Sequence, residues 1–536
     1  MKKIYILVFA LALASSACKK SDLQLGNPNN PSLVSLETKT GIEYYSAGFY
    51  RQSGAVFDKS TFYNSVMGDE QFSSVGNFGM RFTQQVTAIT LPAPYNTKIP
   101  NIFGVDQITQ LRSLNNFAAD ASGSNAFQFT WQDAYLANGQ ANILLMALDN
   151  PKLEIPASEK ATLQAWAYWW KGLLYSQIGS LYSQGIINNA ADGTTNNNYV
   201  GHDAIIAEAN ANFEKAIALL KGINDADADY KATMVAITPS FNVTGTAITP
   251  SMWVRSCYTN EARNILVNTK VKDLNAAILT KVSDLASKGL VQGDQAFVRG
   301  MDVNSVNDLT AGTQIHPFLW NNDDINPSWQ YTSERLVQDF KVGDKRKDNG
   351  IRLLGTTVVN VRARGIQFGS RYTPNAIEDG GYWTTGKAHV GKHLYAGSWE
   401  ENALMLAEVQ IRSGNIETGL GYIDDVRIAQ GAQLAAVKGT GLDLNGALEE
   451  LRKERRIGLF LRGVAFYDAR RWGVTAPASQ GGGRAGAIVL VPGSFTGGGA
   501  GYTALPCFIE YNYADYWDVP IDETAYNAQT TKATAQ

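Results

Sequence analysis

The sequence predicts a mostly α-helical protein built from paired helices and interrupted by large, irregular, loop-rich insertions. Three observations predict it. Apolar residues recur at helical spacing in paired segments at 131–148 with 157–182, at 258–289 and at 401–431. Two long stretches, 53–130 and 291–400, are rich in aromatic, Asn, Gln, Gly, Ser and Thr residues and show little helical period. Near the C-terminus, ERRIGLFLRGVAFYDARRWG at 454–473 packs two arginine pairs and an acid among aromatics.

A chain of 536 residues with 45% hydrophobic and 18% charged residues has globular composition and enough apolar mass for a large core. It begins MKKIYILVFALALASSAC, where two lysines precede an apolar run and small residues lead to a cysteine. That is the pattern of a secretory signal peptide over residues 1–17, too short to remain as a membrane-spanning helix. The small residues before Cys18 resemble a bacterial lipobox, with Ser15 where leucine is usual, and imply lipidation of Cys18. Loss of Lys2 and Lys3 with the leader takes the formal net charge from −3 to −5, which excludes a general attraction to nucleic acid. Cys257 and Cys507 remain; an exported setting permits a disulfide between them, and two free, buried thiols are the favoured reading.

Residues 18–34, rich in Asn and Pro, read as a tether, and the folded body runs from 35 to 536. A first helix is expected over 35–51. In the next helix pair Ala165, Trp169, Leu173 and Ile178 mark one buried face. The pair at 401–431 turns at Gly414 and Asn415, with Ala407 small enough for close approach. These pairs resemble tetratricopeptide units, whose stacking buries a shared core and leaves a curved face. In LNGALEELRKERRIGLF, Leu448, Leu451, Arg455 and Leu459 share a helix face, and Asp468 and Arg471 then stand among Phe466, Tyr467 and Trp472. This predicts a partly buried arginine–aspartate lock between helix and core.

Catalytic motifs are missing or broken. GYWTTGKA at 381–388 has the glycine spacing of a phosphate loop, but Ala388 stands where Ser or Thr must ligate magnesium. His389 and His393 have a zinc spacing interrupted by Gly391, and they read as loop residues. DADAD at 225–229 starts like a calcium loop, yet Tyr230 replaces the glycine, so a turn between helices is expected. No GxSxG elbow is present, and no metal or cofactor is expected.

What remains is recognition. A sugar site wants exposed aromatic platforms beside amide, carboxylate or guanidinium groups. HPFLWNNDDINPSWQY at 316–331 supplies Phe318, Trp320, Trp329 and Tyr331 around Asn321, Asn322, Asp323 and Asp324. Phe72, Phe78 and Tyr95 in the first insertion, with Tyr382 and Trp383 in the second, are further candidates.

The C-terminal pattern resembles that of the SusD/RagB family, nutrient-binding outer-membrane lipoproteins of Bacteroidota. Glu454, Arg455, Arg456, Gly463, Phe466, Asp468, Arg470, Arg471, Trp472 and Gly473 fall on the family pattern in register. The chain departs from it at Gly458 and Arg462, where Glu is usual, and at Ala465, where Arg is usual. Looser likenesses are the NPNNP run after Cys18, a helix ending in Asp344-x-Arg346, and VPIDETAYN near the end. The resemblance implies a SusD-like fold, an outer-membrane protein held by a lipid on Cys18 and facing the cell exterior, and no enzymatic activity. It also implies a role as lid of a SusC-like TonB-dependent transporter, delivering an oligosaccharide or other nutrient. On the residues alone, a surface glycan-degrading enzyme and a non-binding structural component of a membrane complex stay open.

Overall fold

The computed structural model describes residues 33–74, 79–116, 125–238, 247–297, 299–302, 330–359, 369–374, 390–394 and 396–529. A 29-residue helix, α1 (Lys39–Met67), opens the body, and Thr38 caps it by accepting a hydrogen bond from the Gly41 amide. It runs well beyond the segment at 35–51 and into the stretch expected to be irregular. Its far end is buried on all sides, the polar Ser60, Thr61, Asn64 and Ser65 as well as Phe62, Tyr63, Val66 and Met67, so it has no solvent-facing side of the kind an amphipathic surface helix shows. After α2 (Gln107–Asn116), α3 (Ala126–Leu148) and α4 (Ala157–Leu181) form the antiparallel pair read from the sequence. Ala165, Trp169, Leu173 and Ile178 are all buried, and Trp166, Trp169 and Trp170 form an aromatic cluster with Trp253 and Phe297.

Two helices passed over in the sequence follow, α5 (His202–Leu220) and α6 (Ala228–Ile237). Close packing of α5 on α4 depends on Gly172, where a Cβ would lie 2.6 Å from the Phe213 ring. The acidic run at 225–229 is the turn between helices: Asp227 caps α6, and Asp225 accepts from the Ser251 amide at 3.0 Å. Next come α7 (Pro250–Val267) and α8 (Ala276–Ala286), then α9 (Glu334–Asp339) and α10 (Lys345–Gly350). The expected helix ending in Asp-x-Arg is therefore two short helices. The first ends at Asp339, after which Phe340 is extended; Gly343, at φ +84°, then turns the chain, and Asp344 starts the second helix by accepting from the Arg346 amide. The last pair, α11 (Trp399–Arg412) and α12 (Ile416–Ala429), turns at Gly414 (φ +87°). It is followed by α13 (Leu444–Gly458), α14 (Ala465–Arg471) and α15 (Ile521–Tyr526).

The insertions and the tail carry strands that the sequence reading did not foresee. Strands β1 (Gln71–Ser73), β7 (Gln330–Thr332), β8 (Ile351–Val358) and β9 (Ser370–Pro374) form a sheet in the order β1-β7-β9-β8, joining the first insertion to the second. Strands β2 (Ala88–Thr90) and β3 (Lys98–Pro100) extend an antiparallel hairpin of the tail, β11 (Arg484–Pro492) and β12 (Tyr502–Glu510), in the order β11-β12-β2-β3. Two small ribbons pair β4 (Gln184–Ile186) with β5 (Tyr199–Gly201) and β6 (Arg299–Asp302) with β10 (Val390–His393). His393 thus lies in a strand, while His389 and the loop at 381–388 lie outside the described residues. One apolar core joins α1, α3–α7 and the tail, and a second lies among α11, α12 and α13. Cys257 and Cys507 are free and buried.

Candidate functional site

The segment at 454–473 is a buried ionic lock, as its residue types predict, and its partners come from all over the chain. From α13, Glu454 receives Arg346 Nη1 at 2.5 Å and Arg427 Nε at 2.8 Å. Arg455 donates to Asp468 Oδ2 at 2.8 Å, across the turn to α14. Arg456 bonds Asp339 through Nε at 2.6 Å and the carbonyls of Gly68 and Asp69 at 2.8 and 3.0 Å. It therefore satisfies carbonyls left open where α1 ends. Arg470 reaches the carbonyls of Ser180, Val267 and Asp515, where α4, α7 and the tail meet. Arg471 grips Glu408 of α11 with two bonds of 2.8 and 2.6 Å and Asp468 with a third of 2.7 Å. Gly463 (φ +72°) makes the turn, and a Cβ there would lie 3.1 Å from Thr61 Oγ1.

These groups are too deeply buried to meet a ligand, and their electrostatics are those of structure. Burial alone would raise the Glu408 carboxyl, but Arg471 overrides it and holds it at about 2. Asp69, buried and gripped by Arg335, is likewise held at about 2. Each of these buried charges is matched, which is the condition for tolerating it.

The expected aromatic site is mostly beyond view. Phe78, Phe318, Trp320, Asn321, Asn322, Asp323, Asp324, Trp329, Tyr382 and Trp383 lie outside the described residues, as does Cys18. Tyr331 requires a correction. In β7 it pairs with Phe72 of β1, and the two rings are 3% and 2% exposed. Both fill the core between the insertions and offer no face to a sugar. Tyr95 is partly buried against the main core in the β2–β3 turn.

An open cleft of about 330 Å³, missed in the sequence, lies between α3 and the loop after β4. Tyr135, Leu136 and Ile143 give it an apolar wall, and Asn138, Gln140, Asn188 and Thr194 a polar one. The Oε1 of Gln140 is a buried acceptor with no hydrogen-bond partner among the described residues. Asn188 is fixed from behind, its carbonyl accepting from Asn138, Asn142 and Tyr175 at 2.8, 3.0 and 3.1 Å. Lys171, 1% exposed, holds the side-chain oxygens of Asn138 and Asn142 together, and burial brings its ammonium down to about 7. An aromatic beside fixed amides is the chemistry sought above for sugar; the Asn- and Thr-rich run at 188–198 was its signal in the sequence. Among the described residues no group of acids, histidines and cysteines could hold a metal ion, and no helix is long and apolar enough to cross a membrane.

No family model and no curated protein matches the chain. Solved structures do. A SusD-like protein from Bacteroides fragilis NCTC 9343 aligns over 92% of this chain and 96% of its own at 14% identity, with a TM-score of 0.58. A SusD superfamily protein from Bacteroides fragilis gives 92% and 99% coverage, 14% identity and a TM-score of 0.56. A SusD-like carbohydrate binding protein from Bacteroides vulgatus ATCC 8482 gives 92% and 97%, 14% and 0.52. The fold of this chain is the SusD-like fold.

Proposed function

We propose that the protein is a surface lipoprotein that binds an oligosaccharide or related nutrient and passes it to a SusC-like TonB-dependent transporter, for which it serves as the lid. The observation that carries this reading is the SusD-like fold over 92% of the chain, shared with the SusD-like carbohydrate binding protein of Bacteroides vulgatus. The leader and Cys18 supply the means of attachment, a lipid on one cysteine in the outer membrane, with the folded body outside. Energy for import would come from the transporter, so the reading calls for binding without catalysis and for no cofactor. The ligand would rest on the second insertion, with Trp320 and Trp329 as platforms and Phe318, Asn321, Asp323 and Asp324 around them. Phe78, Tyr382 and Trp383 would stand at its margin.

The test is titration of the purified protein with a panel of polysaccharides and oligosaccharides, followed by tryptophan fluorescence and calorimetry. Saturable binding of one glycan class is expected, weakened at least tenfold by Trp320→Ala or Trp329→Ala with the fold intact. Loss through Tyr135→Ala alone would move the site to the α3 cleft. Retention of no glycan, together with co-purification with a transporter, would replace the binding role by a structural one.

A further inference from the structure

Every arginine described above in the lock has a carboxylate or carbonyl against its guanidinium, and one further buried arginine of the same segment has none among the described residues. Arg462 lies in the turn between α13 and α14, between Leu461 (φ +61°) and Gly463 (φ +72°), and is 4% exposed. Its Nε and Nη1 are buried and have no hydrogen-bond partner among the described residues. An unpaired guanidinium inside a protein costs several kcal/mol unless something polar meets it.

Arg462 faces a cavity of about 60 Å³ whose other walls include Asp294, Gln295, Trp399 and Glu400. Glu400, in the first turn of α11, has a buried carboxylate oxygen, Oε2, that also lacks a partner among the described residues. Asp294 is already satisfied, accepting two bonds from Arg255 at 2.7 and 2.8 Å and one from the Val291 amide at 3.0 Å. The cavity thus presents one open cation and one open anion. With the Arg255–Asp294 pair included, its formal charge is zero. A simple anion would satisfy Arg462 and face Glu400; a simple cation would do the reverse. A small molecule carrying both charges meets both ends and leaves the total unchanged.

Size narrows the class. At roughly 10–15 Å³ per water-sized group, the space holds about four to six such groups, near the non-hydrogen atom count of glycine or alanine and about half that of a hexose. The exposed Gly293 stands at the rim, where a Cβ would meet nothing within 4 Å. We propose that this cavity is a binding site for a small free α-amino acid, its carboxylate on Arg462, its ammonium on Glu400 and its side chain toward Trp399. The site shares no residue with the aromatic run or with the α3 cleft, so it stands or falls independently of the glycan reading.

The test is calorimetric titration of the purified protein with glycine and L-alanine, and with N-acetylalanine and alaninamide, which each lack one charge. The expected result is saturable binding of an amino acid with a Kd of about 1 mM or tighter. Both one-charge analogues should bind at least tenfold more weakly, and Arg462→Gln should cost at least tenfold at an unchanged thermal midpoint. The proposal is overturned if neither amino acid binds, if either analogue binds as well as alanine, or if Arg462→Gln retains full affinity. Should Arg462→Gln fail to fold, the comparison of alanine with its analogues on the unaltered protein decides alone.

Discussion

Arg471 of α14 and Glu408 of α11 meet through two parallel hydrogen bonds of 2.8 and 2.6 Å, with side chains 1% and 0% exposed. The two residues are 63 apart in sequence, and their pairing closes the last helix pair onto the C-terminal lock. Two matched forks in a dry setting form the strongest side-chain contact available to these residue types. Arg471→Ala would leave Glu408 with only Arg412, which bonds it at 2.8 Å from a more exposed position. It would also strip one arginine from Asp468. The expected loss is about 3 kcal/mol or more in urea unfolding. The double change Arg471→Met with Glu408→Leu should recover much of it, because it removes both charges together; a double variant as unstable as the single one would contradict this.

How much of this was legible in the sequence depended on range. The helix pairs at 131–182 and 401–431 showed because their apolar spacing is local. The lock showed as a set of residue types for the same reason, and so did the local pairs Arg471–Asp468 and Arg346–Asp344, but its distant acids did not: Glu408, Asp339 and Asp69 come from three separate elements, and nothing local ties them to Arg471, Arg456 and Arg335. Strands such as β1 and β2, three residues each, are too short to display alternation and exist only by pairing with distant partners. Tyr331 misled because an aromatic in an irregular run has the same letters whether it faces a sugar or, as here, Phe72 in the core. Arg462 was visible as a departure from the family pattern, but that it lacks a partner is a property of the packed structure alone.

Acid stability follows from the same pairs. Asp69 and Glu408 are each held at about 2 in the folded protein, where burial is outweighed by Arg335 and Arg471 respectively. Unfolded, they titrate near 4. A depressed carboxyl contributes its stability above the unfolded value and loses it as pH falls through the folded one. Unfolding free energy should therefore drop steeply between about pH 4 and pH 2. Asp69→Asn should shallow that slope while lowering stability at pH 7, as chemical denaturation at a series of pH values would show.

Glu70 works in the opposite sense. It is 1% exposed, and burial pushes its carboxyl up to about 8 despite the nearby charge of Arg456. Among the described residues its Oε1 has no partner, and Oε2 receives a long bond, 3.4 Å, from the Leu461 amide. A raised carboxyl is folded in its neutral form, so its contribution is complete below about pH 4 and is lost as pH climbs toward 8. Glu70→Gln keeps the shape and removes the titration. The variant should gain on the parent by at least about 1 kcal/mol between pH 5 and pH 8, and an unchanged difference across that range would show that Glu70 is charged throughout.

Gly68 is where the long first helix and the C-terminal lock touch. A Cβ there would lie 2.3 Å from the Ala465 Cβ and 2.6 Å from the Phe466 amide nitrogen, both on the backbone-side surface of α14. Neither neighbour is a flexible side chain that can swing aside. The carbonyl of Gly68 also accepts from Arg456 Nη1 at 2.8 Å, and its φ of −79° is open to any residue, so close approach rather than backbone conformation demands glycine here. Gly68→Ala must then push α1 away from α14 and lengthen the Arg456 bonds to Gly68 and Asp69 together. The expected cost is about 1–3 kcal/mol, the range for forcing an extra methyl into a packed contact. Ala465→Gly, which removes the nearest clashing atom, should restore part of it in the double variant. Additive effects of the two changes would place the strain elsewhere than in the α1–α14 contact.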